Sequence, residues 1–540
     1  MAERSSSERP NIVLILADDM GYSDIGCFGA EISTPTLDGM AGEGVRLTQM
    51  YNCARCCPSR AALLTGLHPH QAGVGHMVAD LGLKGYHGLL NDECVTIAEA
   101  LGGNGYETYM SGKWHVGGQF NKQAMEEQRF LLPTQRGFDH FYGTPIGSGS
   151  YFKPARLMRD EEFIEPEGRD YYYTDAISEN ASRMIRDAAG REKPFFLYVA
   201  YTAPHWPLHA PEEDIARYTG RYDGGWDTLR ETRRTDAQER DVADPRWRLS
   251  PRDEQAPAFA SLSPDRRRWE SLRMAVYAAQ VDRMDQGIGR IMNTLRDMKI
   301  DENTLVLFMS DNGGCAEDIG EPGAFLKITT RDGEPVHSGN DPALDPGSDN
   351  TYMSYGLPWA NASNTPFVLY KHWVHEGGIA TPFVARWPGV IPPGGLDHTP
   401  VHFIDLMATC LDVSGTPYPE TYEGKSITPT EGQSILPVLT GETPTPERPL
   451  FWEHEGNRAV RRGKWKLVCQ ADSDWELYDM QTDRTEQVNL AGRFPARVRE
   501  LSAEYEVWAR RAGVLSWESE VLPAVIKQGT YGKFLHERKG

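Results

Sequence analysis

Five short apolar runs recur along the chain, Asn11–Ala17, Tyr106–Met110, Pro194–Tyr201, Thr304–Met309 and Thr381–Trp387, most of them separated by stretches of helical character. Unbroken apolar runs of this length mark strands buried on both faces. Their alternation with helices predicts an α/β fold with a large, mostly parallel central sheet flanked by helices. One helix is plain from spacing: between Met274 and Met298 the residues Val276, Ala279, Val281, Met284, Ile288, Ile291 and Leu295 share one face. After about Gly432 the pattern changes to short alternating runs, Ala459–Arg461, Trp465–Cys469 and Trp475–Tyr478, which predict a small antiparallel sheet. The 540 residues therefore read as two units. Residues 1–432 form the α/β domain, with insertions or lids near 212–266 and 317–364, and residues 433–540 form a smaller α+β domain whose tail, from about Leu515, lacks clear periodicity.

Charge narrows the partners. With 56 Lys+Arg against 77 Asp+Glu the net charge is −21, which repels phosphate backbones and anionic lipid surfaces, and there is no basic patch to offset it. No nucleic acid or membrane partner is expected. The longest apolar run, Ile12–Ala17, is far too short to span a bilayer, and the polar start through Pro10 has no apolar signal region, so a cytoplasmic location is expected. Eight cysteines in so long a chain read as reduced thiols. Cys53, Cys56 and Cys57 form a C-x-x-C-C cluster without a second Cys/His pair at zinc spacing.

Ligands of open α/β sheets bind at the carboxyl ends of the strands, and the residues there are chemically loaded. They are Asp18-Asp19, then Ser111-Gly112-Lys113-Trp114-His115, then Thr202-Ala203-Pro204-His205, then Ser310-Asp311-Asn312. Asp18, Asp19, Asp311 and Asn312 offer hard oxygen donors suited to Ca²⁺ or Mg²⁺, although such dipeptides also serve as turns and helix caps. Cys56-Cys57-Pro58-Ser59-Arg60 opens a helix, with Cys56 at its positive N-terminus, where an anion or a thiolate is stabilised.

The segment Cys56-x-Pro58-Ser59-Arg60-x-x-Leu63-Leu64-Thr65-Gly66 resembles the signature of the sulfatases, in which the first cysteine is oxidised after translation to Cα-formylglycine. The resemblance continues in order through Ala17–Gly21, Gly112–His115, Ala203–Pro207, Asp311–Gly314, Lys371 with His375–Gly378, Trp475–Asp479 and Asn489–Ala491, so it covers nearly the whole chain. The stretch Thr65–Met77 is most similar to the cytosolic bacterial arylsulfatases, within the alkaline-phosphatase-like superfamily.

The resemblance implies that fold, and hydrolysis of sulfate monoesters, aryl sulfates foremost, to alcohol and inorganic sulfate. The route it implies uses a formylglycine-hydrate nucleophile and a covalent sulfo-enzyme. It also implies one divalent cation, Ca²⁺, held by Asp18, Asp19, Asp311, Asn312 and an oxygen of residue 56, and a formylglycine-generating enzyme as partner. By motif position Cys56 is the precursor, with Cys57 filling a variable place. Asp311 acts as base, Arg60 orients the diol, and Lys113 and Lys371 contact the sulfate oxygens. His205 serves the departing alcohol, and His115 takes the proton of the second hydroxyl. Lys371 adjoins His372, so its assignment is open to a one-residue slip. His68, His70 and His76 follow the signature and could line the pocket, and Trp206, Trp359 and Trp373 could wall an aryl group, although core or surface roles are commoner for both sets. The alternatives are a formylglycine-dependent phosphonate monoester or phosphodiester hydrolase, and a non-catalytic metal-binding protein.

Overall fold

The computed structural model describes residues 9–120, 128–320, 328–442 and 447–529. Residues 321–327 of the expected insertion at 317–364, the polar start through residue 8 and the tail from residue 530 lie outside the described residues.

The strands in chain order are β1 Asn11–Asp18, β2 Val45–Tyr51, β3 Glu107–Lys113, β4 His140–Thr144, β5 Met158–Arg159, β6 Glu162–Phe163, β7 Phe195–Pro204 and β8 Thr304–Ser310. They are followed by a short pair, β9 His337–Ser338 and β10 Thr351–Tyr352, then β11 Ala380–Arg386, β12 Gly395–Asp397 and β13 Val401–His402, and a hairpin of β14 Thr421–Tyr422 and β15 Lys425–Ser426. One eleven-stranded sheet runs in the order β12-β2-β11-β8-β1-β7-β3-β4-β5-β6, with β13 also paired to β2. Its centre, β8-β1-β7-β3-β4, is parallel throughout, whereas β11 runs antiparallel to both of its neighbours.

The unbroken apolar runs have the burial they predict. Along β1, Ile12, Leu14 and Leu16 enter one core while Val13, Ile15 and Ala17 enter the other. All six are fully buried, and burial of each larger side chain stabilises the fold by roughly 1.5–3 kcal/mol. The helices Tyr173–Ala189 and Pro264–Asp297 supply Ile177, Ile185, Val281 and Ile288 to the second core. Helices Cys56–Thr65, Ile97–Gly103 and Ile404–Ser414 close the first with Leu63, Leu64, Ile97 and Leu406. The helix read between Met274 and Met298 begins ten residues earlier, where Ser263 caps it by accepting from the Arg266 N–H and Pro264 occupies its first position. The arginines at 266–268 hid that first turn from a spacing argument.

The stretch 212–266 is a packed layer. Its helix Gly225–Glu239 sends Trp226 against Phe259 and Trp359, and Arg233 donates to Asp24 at 2.5 Å. The C-terminal sheet is β16 Leu450–His454, β17 Asn457–Arg462, β18 Trp465–Cys469 and β19 Glu476–Asp479, antiparallel throughout. One face carries Phe451, Val460, Leu467 and Leu477 onto Leu501, Tyr505 and Trp508 of the helix Pro495–Ala512. The other face, with Trp452, Ala459 and Val468, joins the main core. Trp517, Val521 and Val525 of the tail pack on Leu81 and Tyr86. Among the described residues no helix is long and apolar enough to cross a membrane.

Candidate active site

Parallel register brings the acidic strand exits together. Ala17 pairs with Ser310, so Asp18-Asp19 and Asp311-Asn312 leave the sheet side by side. On the other flank of β1, β7 delivers His205, and β3 beyond it ends in Lys113 with His115 two residues on. Asp19 (φ 64°) and His115 (φ 58°) adopt left-handed backbone, a strained state for non-glycine residues that concentrates at functional sites. The helix Cys56–Thr65 begins at this point, and the Ser59 hydroxyl in its first turn accepts from the Cys53 N–H at 2.9 Å. Two glycine loops lock the far side. A Cβ on Gly313 would stand 1.9 Å from the Gly377 carbonyl oxygen, so the Asp311–Gly314 and His375–Gly378 loops pack backbone to backbone as only glycine allows.

Six charges meet here. Lys113 Nζ lies 2.5 Å from Asp18 Oδ2, Lys371 Nζ lies 2.9 Å from Asp19 Oδ2, and Arg60 holds Asp311 Oδ2 through Nε at 3.0 Å and Nη2 at 2.8 Å. Asn312 Nδ2 donates to Asp19 Oδ1 at 2.7 Å, and the Asp19 N–H donates to Asp311 Oδ1 at 3.2 Å. Burial pushes the Asp311 carboxyl well up, with the Asp18 charge adding to it, and burial raises Asp18 despite Lys113 and Arg60. Asp19 is also pushed up by burial, but His205 and Lys371 outweigh this and hold it below the ordinary range. Asp18 Oδ1 and Asn312 Oδ1 are buried and accept no hydrogen bond. Two unmet oxygens beside three crowded carboxylates form a donor set that fits a hard divalent cation.

The Cys56 thiol is held well below its usual range, first by a hydrogen bond from Cys57 and then by Lys113 and His115, against the opposing effect of burial. Cys57 is more than a filler: its sulfur lies 3.4 Å from His115 Nδ1. Burial lowers His115 to about 4 and His205 to about 4. His205 Nδ1 faces the Trp206 carbonyl oxygen at 2.6 Å and Nε2 faces Asp19 Oδ2 at 3.2 Å. With acceptors at both nitrogens, the geometry favours the doubly protonated ring that burial opposes, and a ring so placed exchanges a proton readily.

The ten residues to which the resemblance gives catalytic or metal roles, Asp18, Asp19, Cys56, Arg60, Lys113, His115, His205, Asp311, Asn312 and Lys371, stand in this one cluster. Lys371 is set by backbone bonds, its N–H donating to the Gly314 oxygen at 3.1 Å and that of His372 to Ala54 at 2.8 Å, while the His372 ring turns away to Glu455. Glu317 escaped sequence reasoning. It pairs with Arg55 at 2.8 Å and Lys371 at 3.6 Å and accepts from Trp206 Nε1 at 3.0 Å, cations that overcome burial and hold its carboxyl below the ordinary range. The Trp206 ring lies 4.6 Å from that of His205, whereas Trp359 is fully buried among Tyr222, Trp226 and Phe259. His70 and His76 pair with Glu453 and Glu455 of the C-terminal sheet, at 2.7 and 2.9 Å, and His68 packs on Trp508. A cleft of 1140 Å³ opens elsewhere, lined by Trp247, His398 and Arg461, and none of the ten clustered residues lines it.

A family model described as Sulfatase matches residues 10–416, and one described as N-sulphoglucosamine sulphohydrolase, C-terminal, matches residues 367–504. The chain is 32% identical over 539 residues to an uncharacterized sulfatase of Schizosaccharomyces pombe, covering 95% of this chain and 96% of that protein. It is 34% identical over 453 residues to an arylsulfatase of Klebsiella aerogenes, covering 81% and 93%. The crystal structure of Ps i-CgsB in complex with k-i-k-neocarrahexaose superposes with a TM-score of 0.67 at 24% identity, covering 98% of this chain and all of that one, and so shares the fold.

Proposed function

The chain belongs to the sulfatase family and is a sulfuric ester hydrolase, and from that premise we propose that it cleaves aryl sulfate monoesters to a phenol and inorganic sulfate. The observation that carries this reading is the meeting of three buried carboxylates with three buried cations around Cys56 at a helix N-terminus. A sulfate ester is an anion that resists an anionic nucleophile, and such a site answers that by charge neutralisation.

Asp18, Asp19, Asp311 and Asn312, with an oxygen of residue 56, would hold one Ca²⁺, which would supply charge compensation to the sulfate and the nucleophile. As formylglycine, residue 56 would supply in its hydrate one hydroxyl to attack sulfur and a second through which the ester is released by elimination. Arg60, fixed by Asp311 and by the Lys113 carbonyl oxygen at 3.0 Å, orients that side chain. Asp311 receives the proton of the attacking hydroxyl. Lys113 and Lys371 hold the sulfate oxygens. His205, steadied through Nδ1, delivers a proton from Nε2 to the departing oxygen, and neutral His115 accepts the proton of the second hydroxyl. Water enters overall, the ester oxygen leaves with the alcohol and sulfur leaves as sulfate. Trp206 beside His205, and the arylsulfatase relative, support an aryl leaving group. In the same reading residues 1–432 are the catalytic unit, and residues 433–540 pack a four-stranded sheet against it.

The test compares turnover of an aryl sulfate and phenyl phosphonate by protein whose Cys56 peptide carries the aldehyde by mass. Faster turnover of the sulfate is expected. Preference for the phosphonate, an aldehyde at Cys57, or full activity with an unmodified Cys56 thiol overturns the reading.

A further inference from the structure

Beside the site lies a second group of ligating side chains for which the proposed chemistry has no use. His372, on the loop that carries Lys371, meets His454 at the end of β16 and Glu455 in the turn that follows, and all three offer ligand atoms within 4.8 Å of one another. His372 Nδ1 is 3.3 Å from Glu455 Oε2, and His454 Nε2 is 3.7 Å from Glu455 Oε1. His454 is 0% exposed, yet neither of its ring nitrogens makes a hydrogen bond. That is unusual for a buried imidazole. His209, equally buried, shows the ordinary arrangement, with Nε2 on the Thr351 oxygen and Nδ1 facing the Tyr151 N–H.

We propose that His372, His454 and Glu455 form a second metal site, for a transition-metal dication of the zinc kind. Two imidazoles and one carboxylate are a recurrent zinc donor set, and ligand atoms each about 2.0–2.1 Å from a tetrahedral ion stand roughly 3.3 Å apart. The observed 3.3 and 3.7 Å are close to that spacing. His76 Nε2 lies 2.9 Å from Glu455 Oε1, the oxygen that His454 faces, and orients the carboxylate as outer partners of metal ligands do, which leaves Oε2 toward His372. The donor set differs in kind from the all-oxygen set at Asp18, Asp19, Asp311 and Asn312, so the two sites select different ions. An ion here ties the Lys371 loop to the C-terminal sheet.

The test loads the full-length protein with zinc in the presence of excess calcium, removes free ions by gel filtration and measures zinc per chain. One zinc is expected in the wild type, and at least a tenfold weaker affinity in His454→Ala and in His372→Gln. A 10–100-fold weaker affinity is expected in His76→Gln. His115→Ala must retain the ion, which separates this site from the sulfur-bearing group of Cys56, Cys57 and His115. If His454→Ala does not fold, His372→Gln decides, because that side chain is 16% exposed and its replacement leaves the core intact. Zinc uptake that is unchanged in His372→Gln, or absent from the wild type, overturns the proposal.

Discussion

Glu376 offers a test of how the Lys371 loop is held. Its carboxylate is fully buried, bridging Lys466 at 2.9 Å and Arg484 at 2.7 Å and accepting from the Tyr51 hydroxyl at 2.9 Å. Burial alone would raise its pKa, but Lys466, Arg484 and Arg461 outweigh burial and lower it from 4.5 to about 2. At about 1.4 kcal/mol per tenfold, 4.5 − 2 corresponds to about 3 kcal/mol of stability. Because the folded pKa is the lower one, this stability is fully present above pH 4.5 and is lost as the pH falls through about 2. Glu376→Gln keeps the shape and leaves two buried cations short of a carboxylate, an imbalance that destabilises by roughly 3–5 kcal/mol. Urea unfolding followed by tryptophan fluorescence, with wild type and variant compared at pH 7 and pH 3, reads the difference. It should be about 3 kcal/mol at pH 7 and shrink to about 1 kcal/mol at pH 3. A difference under about 1 kcal/mol at pH 7, or one equally large at pH 3, refutes the argument that Glu376 is an ionised clasp.

Three further outcomes are expected. His115→Ala should release one equivalent of phenol in a burst and then slow by about 10²–10⁴-fold, whereas His205→Ala should show no burst and lose most rate on poor leaving groups; stopped-flow with aryl sulfates of graded leaving-group pKa checks both, and equal loss of the first step in both variants contradicts the division of labour. Glu317→Gln should lower kcat/KM about tenfold, chiefly through KM, because Lys371 and Arg55 lose their shared anchor; unchanged steady-state constants would count against it. Cys57→Ser should keep the aldehyde at residue 56 and activity within about threefold, while Cys56→Ser should abolish the aldehyde, both read by peptide mass.

What the sequence disclosed depended on how local the cause was. β1, β7 and β8 were legible because burial on both faces leaves no polar alternation to confuse, and the strand exits followed from them. β2 was hidden, since Arg46 and Gln49 interrupt a strand whose outer partner is the three-residue β12. Lys371 has no local signal of its structural setting: backbone bonds to Gly314 and the glycine packing at 313 and 377 place it, and only its resemblance to a family motif pointed there. Glu317 lies in a stretch read as an insertion, and its partners Arg55 and Lys371 are remote in sequence. The pairs joining His70 to Glu453 and His76 to Glu455 span almost the whole chain, so no spacing rule could find them.

The one-to-one pairing of charges in the site leads to a last prediction, in which two effects have opposite signs. Lys113 and Lys371 each hold an oxygen of a carboxylate assigned here to the cation, Asp18 and Asp19. A dication and an ammonium group neutralise the same two carboxylates, so a bound cation loosens the hold of both on their lysines and leaves these to attract a sulfate, and a bound sulfate draws the lysines off the carboxylates. Cation and sulfate should therefore each tighten the other, and by linkage the two factors are equal, about tenfold or about 1.4 kcal/mol. Calorimetric titration of sulfate at saturating calcium and under chelation, and of calcium with and without sulfate, measures both arms. Lys113→Met then separates competition from mere structural support. If the ammonium group competes, its removal tightens calcium binding while weakening sulfate binding. If Lys113 only props up Asp18, its removal weakens both, and the coupling argument fails.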